Sequence, residues 1–236
     1  TNSEATGKAP SGVLLVACRK RPDALHASRA QAPLCALKLP DLAYQHVAEA
    51  PVDGQTGDHG ILASGVRNSF DGVWVDSMGY LFTDNGRDWE GNHPPEEVNL
   101  LVPGADYGWP NDEPDDPVPS GTIGPIAKWA PHTSMNGIDV RPENSSLPGL
   151  SISTGHTVYA SVYGSWNTLL PQGHEIVRID FTPTFDEAGN FSGWDSDETR
   201  IATQLGTPLP LRFSPSGDLY YATFGGGGTL NRFVQI

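Results

Sequence analysis

Basic residues are scarce in this chain. Its 236 residues hold only 14 Lys and Arg against 28 Asp and Glu, a formal net charge of −14. Gripping a nucleic-acid backbone requires clustered cations that displace its counterions, so so thin a scatter of bases excludes that partner class. No apolar run approaches the length of a membrane-spanning helix, so no membrane span is expected. Cysteine is nearly absent: Cys18 and Cys35 are the only two, in the short apolar runs GVLLVAC and PLCALKLP. If those runs are neighbouring strands they admit a disulfide; otherwise each thiol is a small buried hydrophobe. Helix-friendly composition is confined to 21–32, which lacks an apolar stripe. The sequence has no G-x-S-x-G elbow, H-E-x-x-H pair, G-x-G-x-x-G loop or P-loop, which leaves the common hydrolase, zinc-protease and nucleotide sites without support.

Turn formers are abundant instead, with 27 Gly and 21 Pro. Between them recur short apolar or alternating runs: 12–18, 33–39, 72–76, 80–83, 97–102, 157–163, 175–181, 210–214, 219–223 and 229–234. Weaker candidates near 44–48, 61–64, 126–130, 137–141 and 200–204 bring the count to about 14 or 15 strands, so the expected class is all-β. VWVDSMGYLFTDNG at 73–86 and LRFSPSGDLYYATFG at 211–225 align with Val75 on Phe213 and Gly79 on Gly217, an offset of 138 residues or three units of 46. A weaker copy lies at 152–163, with Gly155 in the turn position. A strand–glycine turn–strand unit at this period predicts a β-propeller, whose four-stranded blades bury their faces against one another. The length then accommodates about four blades in one domain over 1–236, with the acidic stretch 111–125 as a loop within it. An incomplete ring leaves open sheet edges that invite another chain to cover them.

Two N-x-S triplets, at Asn144 and Asn190, are candidate glycan acceptors in turn-like surroundings. The opening TNSEATGKAPSG has no charged-then-apolar leader. A mature or truncated start is therefore expected, and with the sequons an extracellular or secreted protein.

The segment GVRNSFDGVWVDSMGYLFTDNGRDWEGNHPPEEVNLLVPGADYGWPN (65–111) resembles the soluble quinoprotein glucose/sorbosone dehydrogenases. The shared features are a G-x-R-N start, a strand–Gly–strand hairpin, an N-G turn, an E-E-V-N-L strand and a closing Y-G-W-P. YGSWNTLLPQGHEIVRIDF (163–181) and SPSGDLYYAT (214–223) resemble that family's last blades, so the likeness is strongest over 60–236. The resemblance implies part of a six-bladed propeller that binds pyrroloquinoline quinone (PQQ) and Ca²⁺ and oxidises an aldose-type sugar by hydride transfer. It puts Arg67 and Asn68 on the quinone, and the backbone carbonyls of Gly86 and Arg87 on Ca²⁺. A guanidinium beside quinone oxygens stabilises charge arriving there, and oxygen ligands suit a hard cation.

The chain also departs from the family. Sugar oxidation needs a general base, which the family places on a histidine in an early H-x-x-G segment; no such segment occurs here. His59 stands immediately before G-x-R-N, and His132, in WAPHTSMNGI, resembles a stretch that reaches the family's central face. Gln172-Gly173-His174-Glu175 and Gly206-Thr207-Pro208-Leu209 replace segments that commonly carry a Lys and an Arg for the cofactor carboxylates. No catalytic residue is therefore assigned. Two readings stay open: a PQQ- and Ca²⁺-dependent sugar dehydrogenase whose base lies outside this chain, and a degenerate propeller serving as a binding or structural module in an extracellular assembly.

Overall fold

Every regular element among the described residues is a β-strand. The computed structural model describes residues 48–52, 55–59, 61–87, 94–110, 118–165, 172–225 and 227–233, the first two as backbone only. Cys18, Cys35 and the candidate strands before residue 44 lie outside them. The hairpin β1 (Ala48–Val52) and β2 (Gln55–His59) comes first. Then β3 (Ser69–Val75), β4 (Gly79–Asp84), β5 (Glu96–Leu100) and β6 (Ala127–Trp129) form a four-stranded antiparallel blade. A second consists of β7 (Met135–Val140), β8 (His156–Val162), β9 (Glu175–Phe185) and β10 (Phe191–Ala202). A third sheet has three strands, β11 (Pro208–Phe213), β12 (Leu219–Thr223) and β13 (Leu230–Phe233). The fold is thus a β-propeller of four-stranded antiparallel blades. The described residues supply two complete blades, most of a third and a hairpin, against the expected four or so.

The middle blade shows why the strand runs read as they do. TVYASV in β8 is apolar almost throughout because both faces of that sheet are covered. Val158, Ala160 and Val162 join Val177, Ile179 and Phe181 of β9 in a core with Val75, Leu81 and Val98 of the first blade. Alternate residues turn the other way: Tyr159 and Ile176 pack with Leu211 and Leu219 of the third sheet. The two interfaces make blade-to-blade burial the main source of cohesion.

Three expectations need correction. Residues 61–64 form no strand; Ser64 makes one isolated parallel bridge to Asp106. The weak copy at 152–163 is a hairpin whose first strand is β7, so 152–155 is loop; residues 141–155 lengthen the connection that takes three residues between β3 and β4. The candidate near 200–204 is the end of the twelve-residue β10, whose Asp, Ser, Thr and Glu disguise it. Their polarity follows from its place at the sheet edge.

The repeated turn glycines, Gly79 and Gly217, both have positive φ, 121° and 89°. Their surroundings differ. A Cβ on Gly79 would meet only Leu100 Cδ1 at 3.5 Å, whereas one on Gly217 would lie 2.8 Å from Ser145 Cα and 2.9 Å from Asn144 O. Gly79→Ala should therefore cost about 1–2 kcal/mol through φ alone, and Gly217→Ala roughly 3 kcal/mol or more, since overpacking adds to strain. Chemical denaturation of both variants checks this, and equal losses would contradict it.

Candidate functional site

Antiparallel pairing brings one set of connections to a common end of the blades: the segment before β3 and the links β4–β5, β6–β7, β8–β9, β10–β11 and β12–β13. Backbone hydrogen bonds join neighbouring links: Tyr163 and Gly164 donate to Ser134 and Thr133 (both 2.8 Å), Leu205 to His174 (3.0 Å) and Phe224 to Thr207 (2.9 Å). The residues singled out in G-x-R-N, the N-G turn and Y-G-W-P all lie at this end.

The G-x-R-N segment is held by the end of β4. Asp84 accepts from the Arg67 N–H at 2.9 Å and the Asn68 N–H at 2.6 Å, and Asn85 N donates to Asn68 O at 3.2 Å. Gly65 is required for two reasons: its φ is 73°, and a Cβ there would lie 2.6 Å from Gly108 N and 2.7 Å from Tyr107 N. This approach lets Trp109 N donate to Gly65 O at 2.8 Å, setting the indole beside the arginines. The guanidinium carbons of Arg67 and Arg87 lie 5.7 and 5.2 Å from the Trp109 ring centroid, within cation–π range. Arg67, Asp84, Asn85, Gly86, Glu97 and Trp109 line the crevice they enclose.

Of the two carbonyls at the predicted metal position, Gly86 and Arg87, that of Gly86 has a side-chain partner. Arg67 Nη1 donates to Gly86 O at 2.6 Å and to Asn85 O at 3.2 Å, and Arg87 Nη2 donates to Pro110 O at 3.2 Å. Asn68 is exposed beside this arrangement. Asn85 Nδ2 donates to Asn136 Oδ1 of the next blade at 3.0 Å, while Asn85 Oδ1 is buried with no hydrogen-bond donor among the described residues.

Glu96 opens β5 and is almost fully buried. Its carboxylate accepts from Gly86 N (3.2 Å) on its own blade and from Thr133 N (2.9 Å) and Ser134 N (3.0 Å) on the loop into the next. Burial pushes the carboxyl above the usual glutamate range, although these N–H groups and His132 oppose the shift. His132 is half-buried, with φ 59°, immediately before that loop.

The two altered anchor segments also meet. His174 Nδ1 is hydrogen-bonded to Gly206 O, and its ring lies so close over Gly164 that no side chain would fit there. Gly173, His174, Thr203, Gln204, Gly206 and Thr207 border an open depression. Among the described residues no three His, Cys, Asp or Glu side chains cluster in a metal-binding arrangement. Asn144 and Asn190 are both exposed; their amides donate to Pro215 O (3.0 Å) and to Asp186 Oδ2 (3.1 Å). Sequence reasoning did not single out Asn85, Asn136 or the stapling role of Glu96. An acid opening a strand after Pro94-Pro95 is the one available signal for Glu96, and the amides left none.

No protein-family model and no curated protein matches the sequence. Solved structures do match. A glucose dehydrogenase aligns with a TM-score of 0.51 at 18% identity, over 75% of this chain and 46% of that one. The calcium structure of a carbohydrate-active enzyme of family AA12 from Trichoderma reesei aligns with a TM-score of 0.50 at 17% identity, over 69% and 51%. The PQQ-bound aldose sugar dehydrogenase from Streptomyces coelicolor aligns at 0.47 and 19%, over 77% and 46%. The chain spans about half the length of these structures, and what the first two share with it is the fold.

Proposed function

We propose that this chain carries part of the cofactor-bearing face of a PQQ-dependent, glucose/sorbosone dehydrogenase-like propeller acting on aldose-type sugars outside the cell. The observation that carries the reading is the placement of Arg67 and Arg87 against Trp109 at the loop end of the first complete blade. Two guanidiniums and an indole suit a planar, aromatic tricarboxylate: the cations offset its charge and the ring offers a stacking surface. Arg67, Asn68, Arg87 and Trp109 would hold the quinone, which when bound accepts the hydride leaving the sugar carbon. The residues around it orient it and keep charge balanced at its oxygens.

Ca²⁺ at Gly86 and Arg87, as the resemblance implies, fits the arrangement poorly at Gly86, whose carbonyl accepts from the Arg67 cation. Nor does any described histidine stand in the segment from which the family takes its base. Sugar oxidation by this chain alone is therefore not expected. Exposure of Asn144 and Asn190 supports a glycosylated, secreted protein. The second reading, a non-catalytic binding module, is favoured by the contact of His174 with Gly206, which joins the two segments that lack the anchoring Lys and Arg. In either case the outer edge of β13, unpaired among the described residues, suits a strand from another chain.

Titration of the protein with PQQ, followed by Trp fluorescence, tests the proposal. Saturable binding is expected, weakened roughly tenfold or more in Arg87→Ala, with no dye reduction on adding glucose. Absence of saturation at about 100 µM, or an unchanged affinity in the variant, would overturn it.

A further inference from the structure

We propose that Arg67 is itself the resident cation of this site, so that the face takes its anionic ligand without Ca²⁺. The inference deepens the quinone-binding reading and rests on it for the identity of the ligand. One guanidinium nitrogen lies on both Asn85 O and Gly86 O, at 3.2 and 2.6 Å, and so covers Gly86 O, one of the two carbonyls, Gly86 and Arg87, at which a hard cation is expected to enter.

A divalent calcium needs six to eight oxygens, with carboxylates among them to balance its charge. Among the described residues the near carboxylates have partners of their own, Glu97 accepting from Asn99 Nδ2 at 3.1 Å. Asp84 places one oxygen on the Arg67 N–H and the other on the Asn68 N–H, while Glu96 places its two on Gly86 N and on Thr133 and Ser134 N. Each is oriented by the backbone it caps, and swinging it toward a metal would strain or release those N–H bonds. The positive charge is already present as well. Arg67 and Arg87 both lie within 6 Å of the Trp109 ring, and a dication entering between them would face two like charges. Asn85 Oδ1 is the remaining buried acceptor. One neutral oxygen suits a water or a ligand O–H, and falls far short of a calcium shell.

Functionally, Arg67 has two roles at once. It ties the β4–β5 link to the segment entering β3, and it supplies fixed positive charge that no chelator removes. The arrangement is self-contained because its parts lie close in sequence, on one hairpin and the loop before it.

Thermal unfolding and PQQ titration, each in 1 mM CaCl₂ and in EGTA, test the inference on the whole chain. The expected result is a melting temperature equal in the two buffers to about 1 °C, and one PQQ affinity. A calcium site filled at a hundred times its dissociation constant would raise the melting temperature by roughly 5–10 °C. Such a rise, or tenfold tighter PQQ binding in calcium, would overturn the inference while leaving quinone binding intact. If PQQ binds in neither buffer, the quinone reading fails and the melting comparison still decides the metal question. A variant pair separates charge from packing: Arg67→Lys should hold the melting temperature within about 2 °C, and Arg67→Met should lower it by twice that or more. Equal melting for the two would also overturn the inference.

Discussion

Replacing Glu96 by alanine should cost about 3–4 kcal/mol, a large share of the stability of an ordinary domain. The carboxylate accepts from three backbone N–H groups: Gly86 on its own blade, and Thr133 and Ser134 at the entrance to the next. Alanine leaves those donors facing a cavity in a place nearly closed to water, so their desolvation is no longer offset. Glutamine is the informative comparison. Its carbonyl oxygen can keep Thr133 and Ser134, whereas its NH₂ must then face the Gly86 N–H. Glu96→Gln should therefore lose about half as much, with the loss showing as faster hydrogen exchange at 85–87. The pH dependence has a definite sign. Because burial raises the folded-state pKa above the unfolded value, the folded protein retains the proton to higher pH. The contribution of Glu96 is therefore fully present in acid and declines as pH rises through the raised pKa. The deficit of Glu96→Gln relative to the native protein should narrow over that rise. A deficit that widens instead would show the carboxylate is not paying for its burial as argued.

This staple explains what was legible in the sequence and what was not. Hairpins such as β3–β4 and β11–β12 announce themselves locally, through alternating apolar residues either side of a turn glycine. Both appear near their predicted positions, at Ser69–Asp84 and Pro208–Thr223. The apolar runs of β8 and β9 were readable because a middle blade is covered on both faces. β10 was not, since an edge strand facing solvent needs no apolar pattern. The site divides in the same way. G-x-R-N, N-G and Y-G-W-P are contiguous motifs, and the structure brings them together around Arg67, Gly86 and Trp109. The contacts between Asn85 and Asn136, Glu96 and Thr133, and His174 and Gly206 cross from one segment to another with no sequence periodicity. What the motifs also could not convey is that the Arg67 guanidinium reaches Gly86 O, a contact only geometry shows.

The second large effect lies at the other blade interface. Tyr159 on β8 is completely buried, with its ring edge-on to Phe213 of β11 at 5.4 Å and its hydroxyl donating to Pro148 O at 2.8 Å. Tyr159→Ala removes the largest fully buried side chain between the second and third sheets and should cost about 3–5 kcal/mol. Tyr159→Phe keeps the ring and loses one hydrogen bond, leaving Pro148 O unpaired, for about 1–2 kcal/mol. The hydroxyl makes a separate, sharper prediction. Desolvation pushes its pKa up to about 12, from 10.0. Between those values the unfolded chain ionises while the folded one does not, so unfolding releases a proton and stability falls as pH rises. A shift of this size corresponds to roughly 2–3 kcal/mol across the window. Tyr107, whose hydroxyl donates to Leu100 O at 2.6 Å, is raised by burial too and adds a loss of the same sign. The difference between native protein and Tyr159→Phe isolates the Tyr159 share. Urea midpoints measured from pH 9 to 12 should converge and then cross as pH rises, because only the native protein loses the Tyr159 contribution and that loss exceeds its initial advantage. Parallel curves would mean that the hydroxyl ionises in the folded state as freely as in water, and that the interface between the second and third sheets is open to solvent.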